Sequence, residues 1–260
     1  KRCVKVLGNT GKFEFVITEI GGTVGDIESL PYIEAMRQLK WELGKNCLSI
    51  HLTLIPFLST TGELKTKPTQ HSVKMLLESG VQPDVLVCRT EHKLNLDIKK
   101  KVALFCNVSP DSVIEAIDAS SIYEVPMLMK EEGLDRVVLK KLEFPVSNKY
   151  DLINWIDFLK KFKHPKKQVK IGLVGKYVEL KDAYKSIAES FIHAGVANEA
   201  AVKLEWVHSE TLTSKNVSKK LSGLSGILVA PGFDSRGIGG KIEAICYARE
   251  NKIPFFGICL

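Results

Sequence analysis

Several patterns are missing from this 260-residue sequence, and each absence argues against a class of protein. Its six cysteines are scattered without a CxxC pair, which argues against a zinc site and against a secreted disulfide framework. No apolar run approaches the roughly 20 residues that cross a bilayer, and no signal-peptide pattern opens the chain. Internal repeats and low-complexity tracts are also missing. We therefore expect a globular protein of the reducing cytoplasm without a membrane partner.

The positive charge of the chain is spread out. The formal net charge is +7, and the only dense lysine cluster lies between Lys160 and Lys167. That cluster has no interleaved aromatic residues and no nucleic-acid-binding signature, so we interpret it as a solvated linker and expect no nucleic-acid partner. A net positive charge also suits an enzyme whose ligands are nucleotide phosphates.

Apolar strand patterns alternate with helical patterns along the sequence. The strand patterns cover Phe13–Ile20, Leu48–Phe57, Asp84–Cys88, Val113–Ile114, Val169–Val174, Val202–Val207 and Gly226–Ala230, and a last one ends the chain. This alternation predicts an α/β protein with two doubly wound parallel-sheet domains. An amphipathic helix at 151–162 and the charged stretch after it mark a boundary. We expect domains at 1–150 and 169–260, joined by residues 151–168.

Acidic residues surround the glycine-rich loop after the first strand pattern. Glu19 is predicted at the end of that strand, where open α/β sheets collect ligands, and its carboxylate is suited to a Mg²⁺ ion that bridges nucleotide phosphates. The alternative is that Glu19 caps a helix or pairs with a local lysine. Asp26 and Glu28 add acceptors for ribose hydroxyls, an amino group or a second ion, although acids also favour helix starts through the macrodipole alone.

The segment Lys65–Gln70 predicts an anion site. Two lysines and a threonine precede Pro68, and proline favours the first turn of a helix. The free amides of a helix start and two ammonium groups together suit a triphosphate. His71, one step inside this helix, is expected to pack or hydrogen-bond rather than to catalyse.

Cys259 is a candidate nucleophile. It ends an apolar strand pattern, and Gly257 supplies the small residue two positions before it that a nucleophile elbow requires. The alternative is an inert core cysteine. Attack on an amide also needs oxyanion donors, for which Gly232 and the backbone N–H of Leu260 are candidates. We expect the base to lie outside this sequence.

Two segments resemble signatures of one enzyme family. Thr18–Pro31 reads TEIGGTVGDIESLP, and residues 65–72 read KTKPTQHS. Both are similar to segments of the CTP synthases, glutamine-dependent amidotransferases that convert UTP to CTP with ATP hydrolysis. The similarity covers nearly the whole chain and is weak only in the first dozen residues and the inter-domain segment.

This resemblance implies roles for individual residues. It implies Mg²⁺ and ATP at Glu19, and Cys259 as the thiol nucleophile with glutamine at Gly232. It implies, more weakly, activation by GTP at Lys185. The residues implied for UTP or inhibitory CTP are Asp26, Ile27, Glu28, Lys65, Thr66, Lys67, Pro68, Thr69, Gln70 and Lys101.

The resemblance also implies a fold, a reaction and an assembly. The fold is a P-loop-type synthetase domain followed by a class I glutamine amidotransferase domain. ATP phosphorylates the uracil O4, and ammonia from glutamine displaces the phosphate. A homotetramer is implied, with filaments as a further form of assembly. We expect this chain to be an internal piece of a longer enzyme that makes no CTP by itself.

Two departures from the family pattern keep alternatives open. Asp234 stands where the family has a glycine, and Gly239 stands where it has an acid. A carboxylate close to an oxyanion site is expected to weaken glutamine hydrolysis. Another glutamine amidotransferase is one alternative, and a non-catalytic assembly or regulatory paralogue on the same scaffold is the other.

Overall fold

The structure, a computed structural model, describes residues 1–146, 151–232 and 235–259. It divides into two compact units, Lys1–Tyr150 and Asp151–Leu260. Each unit is built around its own parallel sheet. The α/β class that the alternating pattern predicts is therefore confirmed.

The first unit holds a parallel sheet in the strand order β1-β4-β5 and a separate antiparallel hairpin, β2-β3. Its strands are β1 (Ile50–Leu54), β2 (Phe57–Leu58), β3 (Glu63–Leu64), β4 (Val85–Thr90) and β5 (Val113–Ile117). Its α-helices are α1 (Arg2–Gly8), α2 (Leu30–Leu43), α3 (Lys67–Glu78), α4 (Leu96–Cys106), α5 (Val125–Glu132) and α6 (Leu134–Lys141). Short 3-10 turns lie at Gly44–Asn46, Pro110–Ser112 and Ile122–Glu124.

Helices cover both faces of this sheet. Leu86 and Cys88 of the central strand β4 pack in one cluster with Val102 of α4. Val85, on the opposite face of the same strand, packs with Met129 of α5. A parallel strand buried on both sides reads as a continuous apolar run, which is why the sequence predicts β4 so clearly.

The prediction of a strand at Phe13–Ile20 is wrong. The segment is irregular, and Ile17 is 95% exposed. A strand needs the hydrogen bonds of a neighbour, and nothing in the described part of the chain pairs with this segment. Glu19 therefore lies on an exposed irregular stretch and not at the end of a strand.

The second unit holds one parallel sheet in the order β7-β6-β8-β9. Its strands are β6 (Lys167–Gly175), β7 (Ala200–His208), β8 (Gly226–Val229) and β9 (Phe255–Gly257). Its α-helices are α7 (Ile153–Lys163), α8 (Lys185–Ala197), α9 (Val217–Leu221) and α10 (Ile238–Glu250), and 3-10 turns lie at Lys181–Tyr184 and Ser209–Thr211.

The strand order of this sheet reverses beside β6. The chain passes from β6 to β7 on one side and then to β8 on the other. In open parallel sheets such a reversal leaves a crevice at the carboxyl ends of the two strands, where ligands bind. Among the helices of the described residues, none has the length and apolar character to cross a membrane.

Candidate functional site

Two lysines of the first unit meet around one carboxylate. The β2-β3 hairpin presents Glu63, whose Oε2 lies 2.5 Å from the Nζ atom of Lys65. The hydrogen bond and charge of Lys65, together with the charge of Lys101, lower the pKa of Glu63. The structure therefore brings Lys65 and Lys101, which are far apart in the sequence, to the same place.

Helix α3 begins at a third lysine, Lys67, two residues after Lys65. Lys67 is the first helical residue, and Pro68 follows it in the first turn, where its missing N–H costs no helical hydrogen bond. The Nζ atom of Lys67 lies 5.6 Å from the ring centroid of Phe105, in cation–π geometry. Lys67 and Pro68 are both exposed, so this helix start is open to a ligand.

The polar residues next to Lys67 hold the helix in place. The buried Thr69 hydroxyl donates to the carbonyl oxygen of Leu54, 3.0 Å away, and so ties α3 to β1. Gln70 Nε2 donates to the Thr66 hydroxyl at 3.0 Å. These side chains therefore position the helix start, at which Lys67 is exposed. The free first-turn amides predicted for an anion are largely missing: Pro68 has no N–H, and Thr69 is fully buried. The N–H of Gln70 already donates to the carbonyl oxygen of Thr66 at 3.1 Å.

A cleft beside Lys101 has a volume of about 500 Å³, which is in the range of small-molecule sites. The rings of Phe57 and His92 meet edge to face in its wall, with centroids 4.1 Å apart. The lining residues are Phe57, Gly62, Glu63, Leu64, His92, Lys93, Asn95, Ile98 and Lys101. Aromatic and cationic walls in one cleft suit a nucleotide, which carries both a ring and phosphates.

The Asp26–Glu28 turn lies against another part of α3. Asp26 Oδ2 accepts from the backbone N–H of Thr23 at 2.7 Å, which closes the turn. A Cβ atom on Gly25 would overlap Met75 Cε, so the chain approaches α3 closely at this glycine. Met75 is about 12 Å along the helix axis from Lys67. The turn and the lysine group therefore lie near different parts of one helix.

In the second unit, parallel strands deliver Cys259 to the carboxyl end of the sheet. The pairing of β8 with β9 continues to the residue before the cysteine, since the N–H of Ile258 donates to the carbonyl oxygen of Val229 at 3.0 Å. Cys259 itself has a φ of +59° and an exposed side chain. An exposed residue in a left-handed conformation directly after a strand is the geometry of a nucleophile elbow.

Gly232 lies in the loop after β8, beside two buried lysines. A Cβ atom on Gly232 would lie 3.5 Å from Lys176 Cβ and 3.5 Å from Lys241 Nζ. Lys176 and Lys241 are only 6% and 5% exposed. Burial lowers the pKa of Lys241, and the charge of Lys176 lowers it further, while the charge of Cys259 opposes both. The thiol, the Gly232 loop and two cationic side chains thus gather at one end of the sheet.

Two family models match this chain. The model described as CTP synthase N-terminus matches residues 1–144, and the model described as glutamine amidotransferase class-I matches residues 179–260. The chain belongs to the CTP synthase family. The resemblance stated from the sequence is therefore confirmed.

Curated relatives support the same assignment to the CTP synthase family. A protein named CTP synthase from Flavobacterium johnsoniae is 64% identical over 258 residues, which cover 99% of this chain and 48% of that protein. One from Christiangramia forsetii is 61% identical over 261 residues, covering 100% of this chain and 48% of the relative. The chain spans about half the length of the curated relatives it matches.

A solved structure of a relative matches a smaller part of the chain. It is titled as the glutaminase domain of Trypanosoma brucei CTPS with bound acivicin. The match is 39% identical, covers 34% of this chain and 35% of that chain, and has a TM-score of 0.33.

Some residues predicted from the CTP synthase pattern lie apart from these two groups or outside the described residues. Lys185 is the exposed first residue of α8. Leu260, a predicted oxyanion donor, and Asp234, a departure from the family, both lie outside the described residues. Gly239 lines a second cleft of about 430 Å³, and a Cβ atom at this position would meet no atom within 4 Å. The cleft thus has space where the family carries an acid.

The structure also adds residues that sequence reasoning missed. Glu63 and Phe105 contact Lys65 and Lys67, and Lys241 approaches Gly232 from α10. The Phe105 and Lys241 contacts join different elements of their units, whereas Glu63 lies two residues before Lys65 in the sequence. A glutamate before a lysine or a lysine in a helix is too common a pattern to single out, so only the fold reveals them.

Proposed function

We propose that this chain carries the nucleotide-binding and thiol-bearing parts of a CTP synthase, which aminates UTP with ammonia from glutamine and consumes ATP. The observation that carries the proposal is the presence, in one chain of this family, of a cleft lined by Lys93 and Lys101 in the first unit and an elbow cysteine in the second. Each group of residues has the chemistry that one half of the reaction requires.

The first unit would bind UTP and position it. The ammonium groups of Lys65, Lys67 and Lys101 suit the triphosphate, and Lys67 and Lys101 are exposed residues. Asp26, Ile27 and Glu28 would contact UTP or CTP from the other part of α3. Phosphorylation of the uracil O4 by ATP then creates a leaving group, and attack by ammonia at that carbon expels phosphate.

The second unit would release the ammonia. The Cys259 sulfur attacks the carbonyl carbon of the glutamine side chain, and the electron pair of the C=O bond moves to oxygen. Collapse of this intermediate breaks the C–N bond, and the nitrogen leaves as ammonia after it takes up the proton that the thiol gave up. Water then cleaves the thioester, which gives glutamate and restores the thiol. Backbone N–H groups near Gly232 and at Leu260 would stabilise the oxyanion. The positive charge of Lys241, which lies near Cys259, would stabilise the negative charge that develops at the thiol site.

Glu19 would hold Mg²⁺ together with the ATP phosphates. Among residues 1–146, 151–232 and 235–259, no three His, Cys, Asp or Glu side chains gather into a metal cluster. An exposed carboxylate such as Glu19 fits Mg²⁺ only when the substrate supplies further oxygens, which is the usual arrangement for this ion. The bound ion would neutralise charge on the transferred phosphoryl group.

Regulation, assembly and location complete the proposal. GTP would activate the enzyme near Lys185, whose ammonium is exposed at the start of α8. The active form would be a homotetramer, as the family resemblance implies. All six cysteines are free thiols, which fits a reducing cytoplasm.

The test is CTP formation by the full-length polypeptide that contains this chain. UTP and ATP are supplied at saturation, with either glutamine or ammonium as the nitrogen source. CTP from both sources is the expected result. CTP from ammonium alone would limit the function to the first unit and implicate Asp234. If neither source gave CTP, the enzyme proposal would fail and an assembly or regulatory role would replace it.

A further inference from the structure

Tyr184 connects the two loops that flank the crevice of the second sheet. Its hydroxyl oxygen accepts from the backbone N–H groups of Lys176, at 3.1 Å, and Tyr177, at 3.3 Å. The same hydroxyl donates to the carbonyl oxygen of Pro231 at 3.0 Å. Lys176 and Tyr177 follow β6, and Pro231 follows β8. One side chain thus fixes both edges of the crevice.

The ring of Tyr184 is itself held by close packing. Tyr184 is 3% exposed and packs with Leu173 and Leu228 in one core cluster. A Cβ atom on Gly175 would lie 2.7 Å from the ring, so the ring lies directly on the backbone at the end of β6. With the ring fixed in this way, the hydroxyl has little freedom, and its hydrogen bonds define where the two loops lie.

The hydroxyl acts next to the residue expected to contact glutamine. Pro231 directly precedes Gly232, whose surroundings include Lys176 and Lys241. Removal of the hydroxyl would leave the Pro231 carbonyl and the Lys176 N–H without this partner. A loop that shifts to find new partners would carry Gly232 with it. Displacements of about 1 Å at a reacting group are enough to lower rates strongly.

We propose that Tyr184 is a positioning residue for the thiol site. Its hydroxyl fixes the Pro231–Gly232 backbone, which would receive the glutamine side chain beside Cys259. This inference rests on the proposed glutaminase function. It assigns Tyr184 no contact with substrate. Its effect reaches the reaction only through the Gly232 loop.

The test compares Tyr184→Phe with the parent in the full-length polypeptide. Modification of Cys259 is followed by mass spectrometry with two reagents, the glutamine-shaped electrophile diazo-oxonorleucine and the small reagent iodoacetamide. We expect the rate constant with diazo-oxonorleucine to fall about tenfold, because only this reagent needs the loop, and the iodoacetamide rate to stay within about twofold. CTP formation from ammonium should be unchanged. Tyr247→Phe, the same change on α10 in a different core cluster, is the matched control and should change neither rate.

A double-mutant cycle with Gly232→Ala separates positioning from a general loss of stability. If Tyr184 acts through the Gly232 loop, the two substitutions together should lower the diazo-oxonorleucine rate by less than the product of their separate effects. Multiplicative effects, or equal losses with both reagents, would overturn the inference. An unchanged diazo-oxonorleucine rate in Tyr184→Phe would also overturn it.

The outcome for the parent distinguishes this inference from the proposed function. A parent whose Cys259 shows no preference for diazo-oxonorleucine over iodoacetamide has no glutamine site, and the inference fails with it. A parent that shows this preference but makes no CTP from ammonium contradicts the nucleotide part of the proposed function and leaves the Tyr184 measurement valid.

Discussion

The two candidate sites of this chain are built in different ways. In the first unit, the groups proposed to bind ligand are long side chains, and Lys67 and Lys101 are exposed on helices. In the second unit, they are backbone loops and a cysteine fixed at strand ends beside two buried lysines. Flexible charges suit a polyanion, whose oxygens accept contacts from several directions. Bond cleavage at one carbon needs a fixed geometry.

Two glycines, Gly21 of the first unit and Gly175 of the second, differ strongly in packing. A Cβ atom on Gly21 of the first unit would meet no atom within 4 Å. A Cβ atom on Gly175 of the second unit would lie 2.7 Å from the Tyr184 ring. An added methyl group should therefore have a larger consequence at Gly175 than at Gly21.

The largest expected effect is that of Cys259→Ala on glutamine use. Because the thiol is the only nucleophile proposed for this step, glutamate release by the full-length polypeptide should fall by about a thousandfold or more. A radiometric glutaminase assay measures it. Cys246→Ala, a change to another partly accessible thiol of the second unit, should retain the parent rate. Residual glutaminase activity within tenfold of the parent in Cys259→Ala would assign the chemistry to another residue.

A smaller effect is expected from a charge removed in the first unit. Lys67→Gln removes one ammonium from the proposed triphosphate site. Charge-assisted hydrogen bonds contribute roughly 1.5 to 3 kcal/mol, so the KM for UTP should rise about 10- to 150-fold. The rise should be the same with glutamine and with ammonium. Lys74→Gln, an exposed lysine on the same helix, serves as the control and should leave the KM unchanged. Equal effects of both substitutions would mean that the charge of the helix surface, not the helix start, attracts UTP.

Stability offers a third comparison of the two units. Gly175→Ala forces a methyl group against the Tyr184 ring and should destabilise the second sheet by about 1 to 3 kcal/mol. Gly21→Ala has open space and should stay within about 0.5 kcal/mol. Hydrogen exchange of the β6 amides reports the first change and exchange of the β4 amides the second. A stable Gly175→Ala variant would show that the Tyr184 ring is free to move.

The smallest expected effect concerns the pH dependence contributed by Lys241. Burial lowers the pKa of Lys241 below its ordinary value of 10.5. Between the lowered pKa and 10.5 the unfolded chain binds more protons than the folded one, so this lysine makes stability rise with pH across that window. Lys241→Met should remove this rise.

Urea unfolding at neutral pH and at about pH 10 measures this difference. Lys219→Met, at an exposed position of α9, is the control and should keep the parent's pH dependence. If Lys241→Met kept the same rise, the titrating group would be another residue.

Local sequence patterns predict the frame of both units well. The apolar run of β4 and the proline in the first turn of α3 have short-range causes, and both appear where the sequence places them. The exception is Phe13–Ile20, whose alternating apolar residues are typical of a strand but which has no pairing partner in the described residues. Strand formation depends on a neighbour, and a single segment cannot reveal whether it has one.

The candidate sites are predicted unevenly for a related reason. Lys65, Lys67 and Cys259 follow from their local segments, because helix starts and strand ends are local features. Glu63 beside Lys101 and the Tyr184 hydroxyl on Pro231 join segments that the fold alone brings together. No local pattern marks such contacts, so they first appear in the structure.

The most direct test of two separate sites is the ratio of CTP formed with glutamine to CTP formed with ammonium. It is measured at saturating UTP and ATP in the full-length parent, Cys259→Ala and Lys67→Gln. We predict that the ratio falls by about a thousandfold or more in Cys259→Ala and stays at the parent value in Lys67→Gln. A ratio that changed equally in both variants, or in neither, would contradict the division of the reaction between the two units.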